Sequence, residues 1–531
     1  MEQEMGDAHA HFFNAADLPI AGFLENVALP EFLKGWEIIW PALVALARTV
    51  KALALPASDE LQKLRSSSSG RAADIISSTR FAGVIADQIE TAVAARGSKP
   101  LVDTGSSWSL EDSHFALGIF IEQASATERD PAQMGEAEKK MVASGVLGRI
   151  DRAFIARVAE NGADAIKRPV EPGDILPTLF SSGLPRASAS TLWDGVKWIY
   201  LLIQSRCSHV HAYLDAMTVP KTRTTRVVNL IVDYDRWLGD GSAPQSSIED
   251  QLKFWTYYRR RASSRVKIET FAPYDPLRHT EDRLAARGND PYLERLTRWV
   301  DSTTTSDIEI SGFKLYPPMG FRTFGNTDPP PTSRAGAIVR KRWDKTWPLD
   351  QFADEINQSL DHFFALCGER KLPILAHARA SNEASPGVGE MASPAYWLKR
   401  VEVAPKPLKI CLAHFSPDQF GEDLYLSVLR SNEAGPSQIY LDIAFASALL
   451  DGSACELMRS IARLCENGDP QSRWFLFGTD WIMLAKEHKV ERYIPALLDA
   501  VREVPFWTPS RLDRLLRGNL DNFLNRSIAS A

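Results

Sequence analysis

The amino-acid sequence predicts an α/β fold: a (β/α)8 TIM barrel with a large, mainly helical insertion after strand 1. Two observations support this prediction. From residue 226 onward, short runs rich in β-branched residues alternate with segments of helical periodicity, which is typical of a parallel sheet covered by helices. With an N-terminal run that contains a His-x-His pair, these runs make eight candidate strands, the number that closes such a barrel.

The first candidate strand holds His9 and His11. Two histidines one residue apart project from the same face only when the backbone is extended, because on a helix they would diverge by about 200°. The seven later runs are short, apolar and rich in β-branched or aromatic residues, as buried strands are. They cover residues 227–232, 266–271, 310–316, 372–377, 408–414, 438–443 and 474–480.

Capping residues mark the ends of several helices between these strands. Ser393 and Thr508 each precede a proline, the combination typical of an N-cap and a first helical residue. Asp350 can cap a further helix, for which Gly368 is the C-terminal stop. Strand and helix therefore alternate as a barrel requires.

Residues 24–224 interrupt the barrel after its first strand. Apolar residues recur at helical spacing in four segments, which are separated by stretches rich in Ser, Gly and Pro. The segments are 24–55, 72–95, 136–165 and 192–217. We expect a barrel formed by residues 1–23 and 225–531, with residues 24–224 packed beside it. A second His-x-His pair, His209 and His211, falls in the last helical segment, so its two rings should diverge.

Composition limits the class of protein. With 44% hydrophobic and 24% charged residues the chain has the balance of a soluble globular protein, and a formal net charge of −6 argues against non-specific nucleic-acid binding. Five cysteines without metal-site spacing indicate reduced thiols, and the longest apolar run, 38–47, is too short to span a bilayer. The acidic N-terminus leaves no room for a signal peptide before the histidine pair. We expect a cytoplasmic protein with a small-molecule substrate and neither nucleic-acid nor membrane partner.

Residues able to bind a metal follow the strands. In a (β/α)8 barrel the chemistry occurs at the C-terminal ends of the strands. Here the ends of strands 1, 4, 5, 6 and 8 carry His9, His11, Lys314, His377, His414 and Asp480. Imidazole suits Zn, Fe, Ni or Cu, and a bound divalent ion can activate water near neutral pH. Four other histidines, His114, His279, His362 and His488, have no partner that the pattern reveals.

These motifs resemble the amidohydrolase superfamily, and more closely its amidohydrolase-related (amidohydrolase 2) branch of metal-dependent hydrolases and decarboxylases. The matching pieces are, in order, DAHAHFFNAADLP, VDYDRWL, FAPYDPLRH, GFKLYPPMGF, ILAHARASN, LAHFS and FGTDW. The resemblance covers residues 7–23 and about 225–525. It implies that His9 and His11 bind a metal, and that His377, His414 and Asp480 take the ligand and base positions, with Asp480 and His414 as catalytic residues.

The resemblance implies a metal-dependent hydrolase, most simply with zinc. A metal-activated water would attack an amide, lactam, lactone or ester carbonyl, while Asp480 takes up a proton and delivers it to the leaving group. Tyr316, Arg322 and Arg379 on the adjoining loops could bind a carboxylate or phosphate of the substrate. Two alternatives stay open: a non-oxidative decarboxylase with the same ligands, and a metal-binding scaffold subunit. The scaffold would join a homo-oligomer or larger complex through residues 24–224.

The number of metal ions depends on Lys314. Barrels similar to urease and dihydroorotase carry a strand-4 lysine that is carboxylated by CO2 and bridges two ions. The presence of all six candidates in the same order favours this arrangement. The decarboxylase-like branch often binds one ion through the strand-1 pair, the strand-5 histidine and the strand-8 aspartate, and leaves the lysine unmodified. The sequence therefore predicts one or two ions per chain, with Lys314 carboxylated in the two-ion case.

Overall fold

Eight parallel strands form the centre of the protein in a computed structural model. The model describes residues 3–23, 54–66, 201–202, 204–220, 222–238, 244–262, 266–301, 306–330, 334–487 and 490–525. The strands are β1 (Gln3–Ala10), β2 (Thr222–Leu230), β3 (Lys267–Pro273), β4 (Gly312–Leu315), β5 (Pro373–His377), β6 (Lys409–Ala413), β7 (Gln438–Asp442) and β8 (Phe475–Leu476). Each strand is hydrogen bonded to the next in chain order. This arrangement confirms the predicted (β/α)8 barrel.

The barrel closes between β8 and β1. The backbone N–H of Ala8 donates to the carbonyl oxygen of Phe477 at 2.9 Å, and that of Asp480 donates to His9 O at 2.6 Å. Gly478 makes this approach possible, because a Cβ atom there would lie 2.9 Å from the Cβ atom of His9. The glycine in the FGTDW motif is therefore required for the chain after β8 to pass against β1.

Helices surround the strands. In the described part of the chain they are α1 (Ile20–Phe23), α2 (Ala57–Ser66), α3 (Arg206–Met217), α4 (Asp235–Leu238), α5 (Ile248–Tyr257), α6 (Pro276–Ala285), α7 (Pro291–Val300), α8 (Arg334–Trp343), α9 (Phe352–Glu369), α10 (Pro394–Val403), α11 (Pro417–Phe420), α12 (Glu422–Ala434), α13 (Ala448–Asp451), α14 (Ala454–Gly468), α15 (Tyr493–Glu503), α16 (Pro509–Asp513) and α17 (Asn519–Leu524). None of them combines the length and the apolar character that crossing a bilayer requires.

The predicted caps correspond to observed helix starts. Ser393 accepts a hydrogen bond from a backbone N–H in the first turn of α10, and Thr508 does the same for α16. The helix expected to begin at Asp350 starts instead at Phe352, because Leu349–Gln351 form a 3₁₀ turn before it.

The core consists of the strands and the inner faces of the helices. Every residue of β5 and β6 is buried, which explains why these segments are almost continuously apolar in sequence. The histidines at the C-terminal ends of β1, β5 and β6 are also buried. These buried histidines therefore form a polar cluster at one end of an otherwise apolar barrel core.

Two described pieces of residues 24–224 pack against the barrel. Arg206, at the start of α3, is fully buried and forms ion pairs with Asp17, which follows β1, and with Glu60 of α2 at 2.8 Å. The amide N–H of Ala57 in α2 donates to Ser246 Oγ at 3.0 Å. Residues 24–53 and 67–200, including His114, lie outside the described residues. The division into a barrel and a helical layer therefore stays a prediction.

The second His-x-His pair lies on α3. The side chain of His209 is buried, whereas that of His211 is 54% exposed, with Nε2 3.4 Å from Asp215. The two rings therefore diverge, as the helical pattern predicts.

We expect the buried ion pairs of Arg206 to dominate the packing of α2 and α3 on the barrel. Replacing Arg206 with Met leaves the carboxylates of Asp17 and Glu60 buried without a cation, so the free energy of unfolding should fall by about 3–5 kcal/mol. Urea unfolding measures this change. The matched control is Arg223→Met, which breaks an exposed pair with Glu4 and should cost less than about 1 kcal/mol. Equal effects of the two substitutions would contradict the expectation.

Candidate metal centre

Side chains from three strands meet at the C-terminal end of the barrel. Nitrogen atoms of His9 and His414 and a carboxylate oxygen of Asp480 lie within 4.8 Å of one another. Nε2 of His9 and Nε2 of His11 lie 3.6 and 3.5 Å from Oδ1 of Asp480. Four of the six residues that the sequence singles out thus surround one small volume.

His377 lies beside this group. Its ring centroid is 4.6 Å from that of His414 and 4.4 Å from that of Tyr316. Its Nε2 atom lies 3.1 Å from Ser381 Oγ. The structure therefore brings His377 next to the cluster but directs one ring nitrogen toward a serine.

Hydrogen bonds to carbonyl groups fix the tautomers of two histidines. Nδ1 of His11 lies 2.8 Å from Leu230 O, and Nδ1 of His414 lies 3.0 Å from Ala444 O. Because a carbonyl oxygen only accepts, each Nδ1 must carry the proton. A neutral ring then presents an Nε2 lone pair to the centre of the site.

His9 is oriented by a carboxylate instead. Its Nδ1 atom lies 3.0 Å from Oδ2 of Asp442, the last residue of β7. Oδ1 of Asp442 accepts hydrogen bonds from the backbone N–H groups of His414 at 2.8 Å and Ala444 at 3.0 Å. One carboxylate therefore positions two histidines of the cluster, in the way that carboxylates commonly support metal-binding histidines.

The electrostatic environment keeps the histidines neutral. Burial, together with the charge of Lys314, lowers the pKa of His11 to about 3. Burial also lowers the pKa values of His9, His377 and His414 well below the usual range. Neutral imidazole is the form that binds a metal.

Unpaired buried atoms indicate that these residues fit a metal ion. Among the described residues, neither Nε2 of His9 nor Nζ of Lys314 makes a hydrogen bond, although both are buried. The Nε2 lone pairs of His9 and His11 face the Asp480 carboxylate with no proton between them. A divalent cation at this position would satisfy all three residues, and imidazole with carboxylate is a ligand set that suits zinc.

Two of the cluster residues have a left-handed backbone. The φ angles of His414 and Asp480 are 64° and 53°, which lie in a region that residues other than glycine rarely adopt. The carbonyl oxygen of Asp480 accepts hydrogen bonds from the N–H groups of Met483 and Leu484, each at 3.1 Å, which stabilises this conformation. Strained residues supported in this way concentrate at functional sites.

The sequence analysis missed Asp7 and Asp442. Asp7 is fully buried and accepts hydrogen bonds from His9 N at 2.8 Å and from the Thr479 side chain at 2.6 Å. It thereby links β1 to the loop after β8. Asp442 could have been found by applying to strand 7 the rule used for the other strands, since it is the polar residue at the C-terminal end of an apolar run.

The expected substrate-binding residues differ in their surroundings. Tyr316 lies beside His377, and its ring is 5.0 Å from that of Tyr234. Arg379 is half-buried, and its Nε atom makes no hydrogen bond with any described residue. The guanidinium of Arg322 is engaged within its own loop by Asp328 at 2.9 Å and is less well placed for a substrate anion.

Comparisons with known proteins give distant structural neighbours. No protein-family model and no curated protein matches the sequence. One similar crystal structure, from Acinetobacter baumannii, is described as a probable 2-pyrone-4,6-dicarboxylic acid hydrolase; it is 12% identical, with a TM-score of 0.30, and the match covers 60% of this chain and 86% of that one. Another, from Lactobacillus casei ATCC 334, is described as a candidate metal-dependent hydrolase; it is 10% identical, with a TM-score of 0.34, and the match covers 80% and 92%.

Asp442→Asn should weaken metal binding while leaving the barrel folded. The amide keeps the side-chain volume but removes the charge that orients His9, so we expect zinc affinity to fall about 10–100-fold. Competition with a chromogenic chelator measures this. Asp275→Asn is the matched control, because Asp275 is equally buried just after β3 and caps α6. A similar loss in both variants would show that Asp442 has no specific role.

Proposed function

We propose that the protein is a metal-dependent hydrolase that cleaves an amide, lactam, lactone or ester. The observation that carries the proposal is the buried cluster in which the bare Nε2 atoms of His9 and His11 face the carboxylate of Asp480 at 3.5–3.6 Å. His9, His11, His414 and Asp480 would hold the ion, with His377 beside them. A divalent metal supplies Lewis acidity and lowers the pKa of water.

The protein residues supply proton transfer and substrate orientation. The Asp480 carboxylate takes the proton of the attacking water as the new C–O bond forms, and then gives it to the leaving nitrogen or oxygen as the scissile bond breaks. Its backbone is held by the loop after β8, so the carboxylate keeps its position during both transfers. Tyr316 and Arg379 would bind an anionic or polar group of the substrate beside His377.

One feature favours the alternative of a non-oxidative decarboxylase. Lys314 and Arg379 place two cationic groups near His377. The pKa of His377 is lowered mainly by burial and by the neighbouring His414, and the charges of Lys314 and Arg379 add to this effect. Such groups suit a substrate that carries a carboxylate. The two functions differ in their product, since a decarboxylase releases CO2 without consuming water.

The test of the proposed function is metal-dependent turnover. Zinc-reconstituted protein should hydrolyse at least one class in a panel of amides, lactams, lactones and esters, and Asp480→Asn should lower the rate about 10²–10⁴-fold by removing the general base. The matched control, Asp451→Asn, changes an exposed aspartate after β7 and should leave the rate unchanged. Release of CO2 without hydrolysis would favour the decarboxylase, and protein that binds no divalent metal would overturn both enzymatic proposals.

We further propose that Lys314 is carboxylated and bridges two ions. Burial lowers the pKa of its amine to about 8, so the neutral form that attacks CO2 is accessible near neutral pH, and the reaction forms an N–C bond while releasing one proton. A carbamate would also convert a buried ammonium without a hydrogen bond into an anion able to offset two cations roughly 3.5–4 Å apart.

We expect the site at the end of the barrel to bind two zinc ions per chain and wild-type protein to incorporate ¹³C-bicarbonate at one lysine. Lys314→Met should lose one ion and the carbamate signal in NMR spectra. Lys409→Met is the matched control: Lys409, the first residue of β6, is also buried with a pKa of about 8, but its Nζ donates to the carbonyl oxygens of Asn522 and Asn525. A single ion at the end of the barrel, unaffected by Lys314→Met, would instead assign the lysine to substrate binding.

A further inference from the structure

A second group of histidine and carboxylate side chains lies among the outer helices. His279 of α6, Asp290 at the start of α7 and His362 of α9 offer ligand atoms within 4.8 Å of one another. Nε2 of His279 lies 3.0 and 2.9 Å from the two oxygens of Asp290, and Nδ1 of His362 lies 3.1 Å from Asp290 Oδ2. None of the three belongs to the cluster at the barrel end. The sequence pattern alone gave His279 and His362 no partner, so this grouping corrects that interpretation.

The tautomer of His279 follows from its other neighbour. Its Nδ1 atom lies 2.8 Å from the hydroxyl oxygen of Tyr274, and the same hydroxyl donates to the carbonyl oxygen of Ser359 at 2.8 Å. A phenol has a single proton, and a carbonyl can only accept. The Tyr274 oxygen must therefore accept a hydrogen bond from Nδ1 of His279.

With its proton on Nδ1, a neutral His279 turns an Nε2 lone pair toward both oxygens of Asp290. Contacts of 2.9–3.0 Å between a lone pair and a carboxylate are favourable only when a cation lies at the contact. The nearby guanidinium of Arg283 does not supply it, because Arg283 pairs with Glu355 at 2.5 Å. The cation is either a second proton on His279 or a metal ion.

The donor set and the exposure of the cluster favour the metal ion. Two ligands of one tetrahedral zinc lie about 3.3–3.6 Å apart when each bond is about 2.0–2.2 Å, so the contacts to Asp290 would lengthen by only about half an ångström. Oδ1 of Asp290 also accepts from Leu293 N at 2.9 Å, so the carboxylate is already oriented. The side chains of Asp290 and His362 are 18% and 38% exposed, which leaves room for water as a fourth ligand.

We propose that His279, Asp290 and His362 form a zinc site that ties together α6, the start of α7 and α9. Phe363 of α9 packs against Phe313 of β4, the strand that carries Lys314. The role of the site is structural, since it links three helices through side chains from each, and it does not depend on the hydrolase activity.

The experiment measures zinc bound to full-length, chelator-treated protein by equilibrium dialysis and elemental analysis. In a His9→Ala/His11→Ala background, which removes the proposed barrel site, one tight equivalent of zinc should remain. His362→Ala and Asp290→Asn should each weaken it at least about 10-fold, and the asparagine still caps α7. His211→Ala, which changes an exposed histidine paired with Asp215, should bind zinc normally. Zinc should also raise the melting temperature of the background protein. It should not raise the melting temperature once His362→Ala is added to that background.

Two results would overturn the proposal. One is a background protein that folds and binds no zinc; the other is zinc binding that His362→Ala and His211→Ala leave equally unchanged. Either result would make the cluster a hydrogen-bonded group around protonated His279. If the double variant does not fold, wild-type protein gives the same test, because His362→Ala should remove one equivalent. If wild-type protein binds zinc at the outer site and none at the end of the barrel, the proposed hydrolase is contradicted and the outer site is still supported.

Discussion

The carboxylate of Asp7 holds together the two strands on which the candidate metal centre depends. Its Oδ1 atom accepts from the backbone N–H groups of His9 and Thr479, and its Oδ2 atom accepts from the hydroxyls of Thr479 and Tyr213. Burial raises the pKa of Asp7 to about 7, although these hydrogen bonds act in the opposite direction. Because His9 and Asp480 lie on opposite sides of the junction between β1 and β8, Asp7 sets the distance between them. Tyr213 belongs to α3, so this helix also braces the site.

The second constraint is the placement of protons on the histidine rings. His9, His11 and His414 each direct Nδ1 toward an oxygen of the barrel, which leaves each Nε2 directed away from that contact. The oxygens belong to Leu230 at the end of β2, Asp442 at the end of β7 and Ala444 just after it, so no single local segment can impose this arrangement alone. The barrel therefore acts as a frame that fixes ring orientation before any ligand binds, and a fixed orientation reduces the cost of ordering the site.

The sequence predicted the barrel and the residues at the strand ends because both have local signals, namely apolar runs and a polar residue where each run stops. It did not predict Asp7 or the function of Asp442, since the contact between Asp442 and His9 joins residues 433 positions apart. The eighth strand was predicted as 474–480 but pairs only over Phe475–Leu476. After Leu476 the chain leaves the ladder with β7: the N–H of Phe477 donates to Leu515 O and its carbonyl oxygen accepts from Ala8. Tertiary contacts of this kind have no periodic signature.

The two histidine–carboxylate clusters obey the same hydrogen-bond rule but differ in what surrounds them. In each, an Nδ1 proton is donated to a protein oxygen and an Nε2 lone pair faces an aspartate. The barrel cluster is buried beside a lysine and two aromatic side chains, so a substrate there would be removed from water and bound by directed groups. The outer cluster lies between helices, borders solvent on the His362 side and has charged neighbours that are paired with one another. The same ligand chemistry would therefore serve the proposed catalysis at the end of the barrel and the proposed cross-linking of helices at its surface.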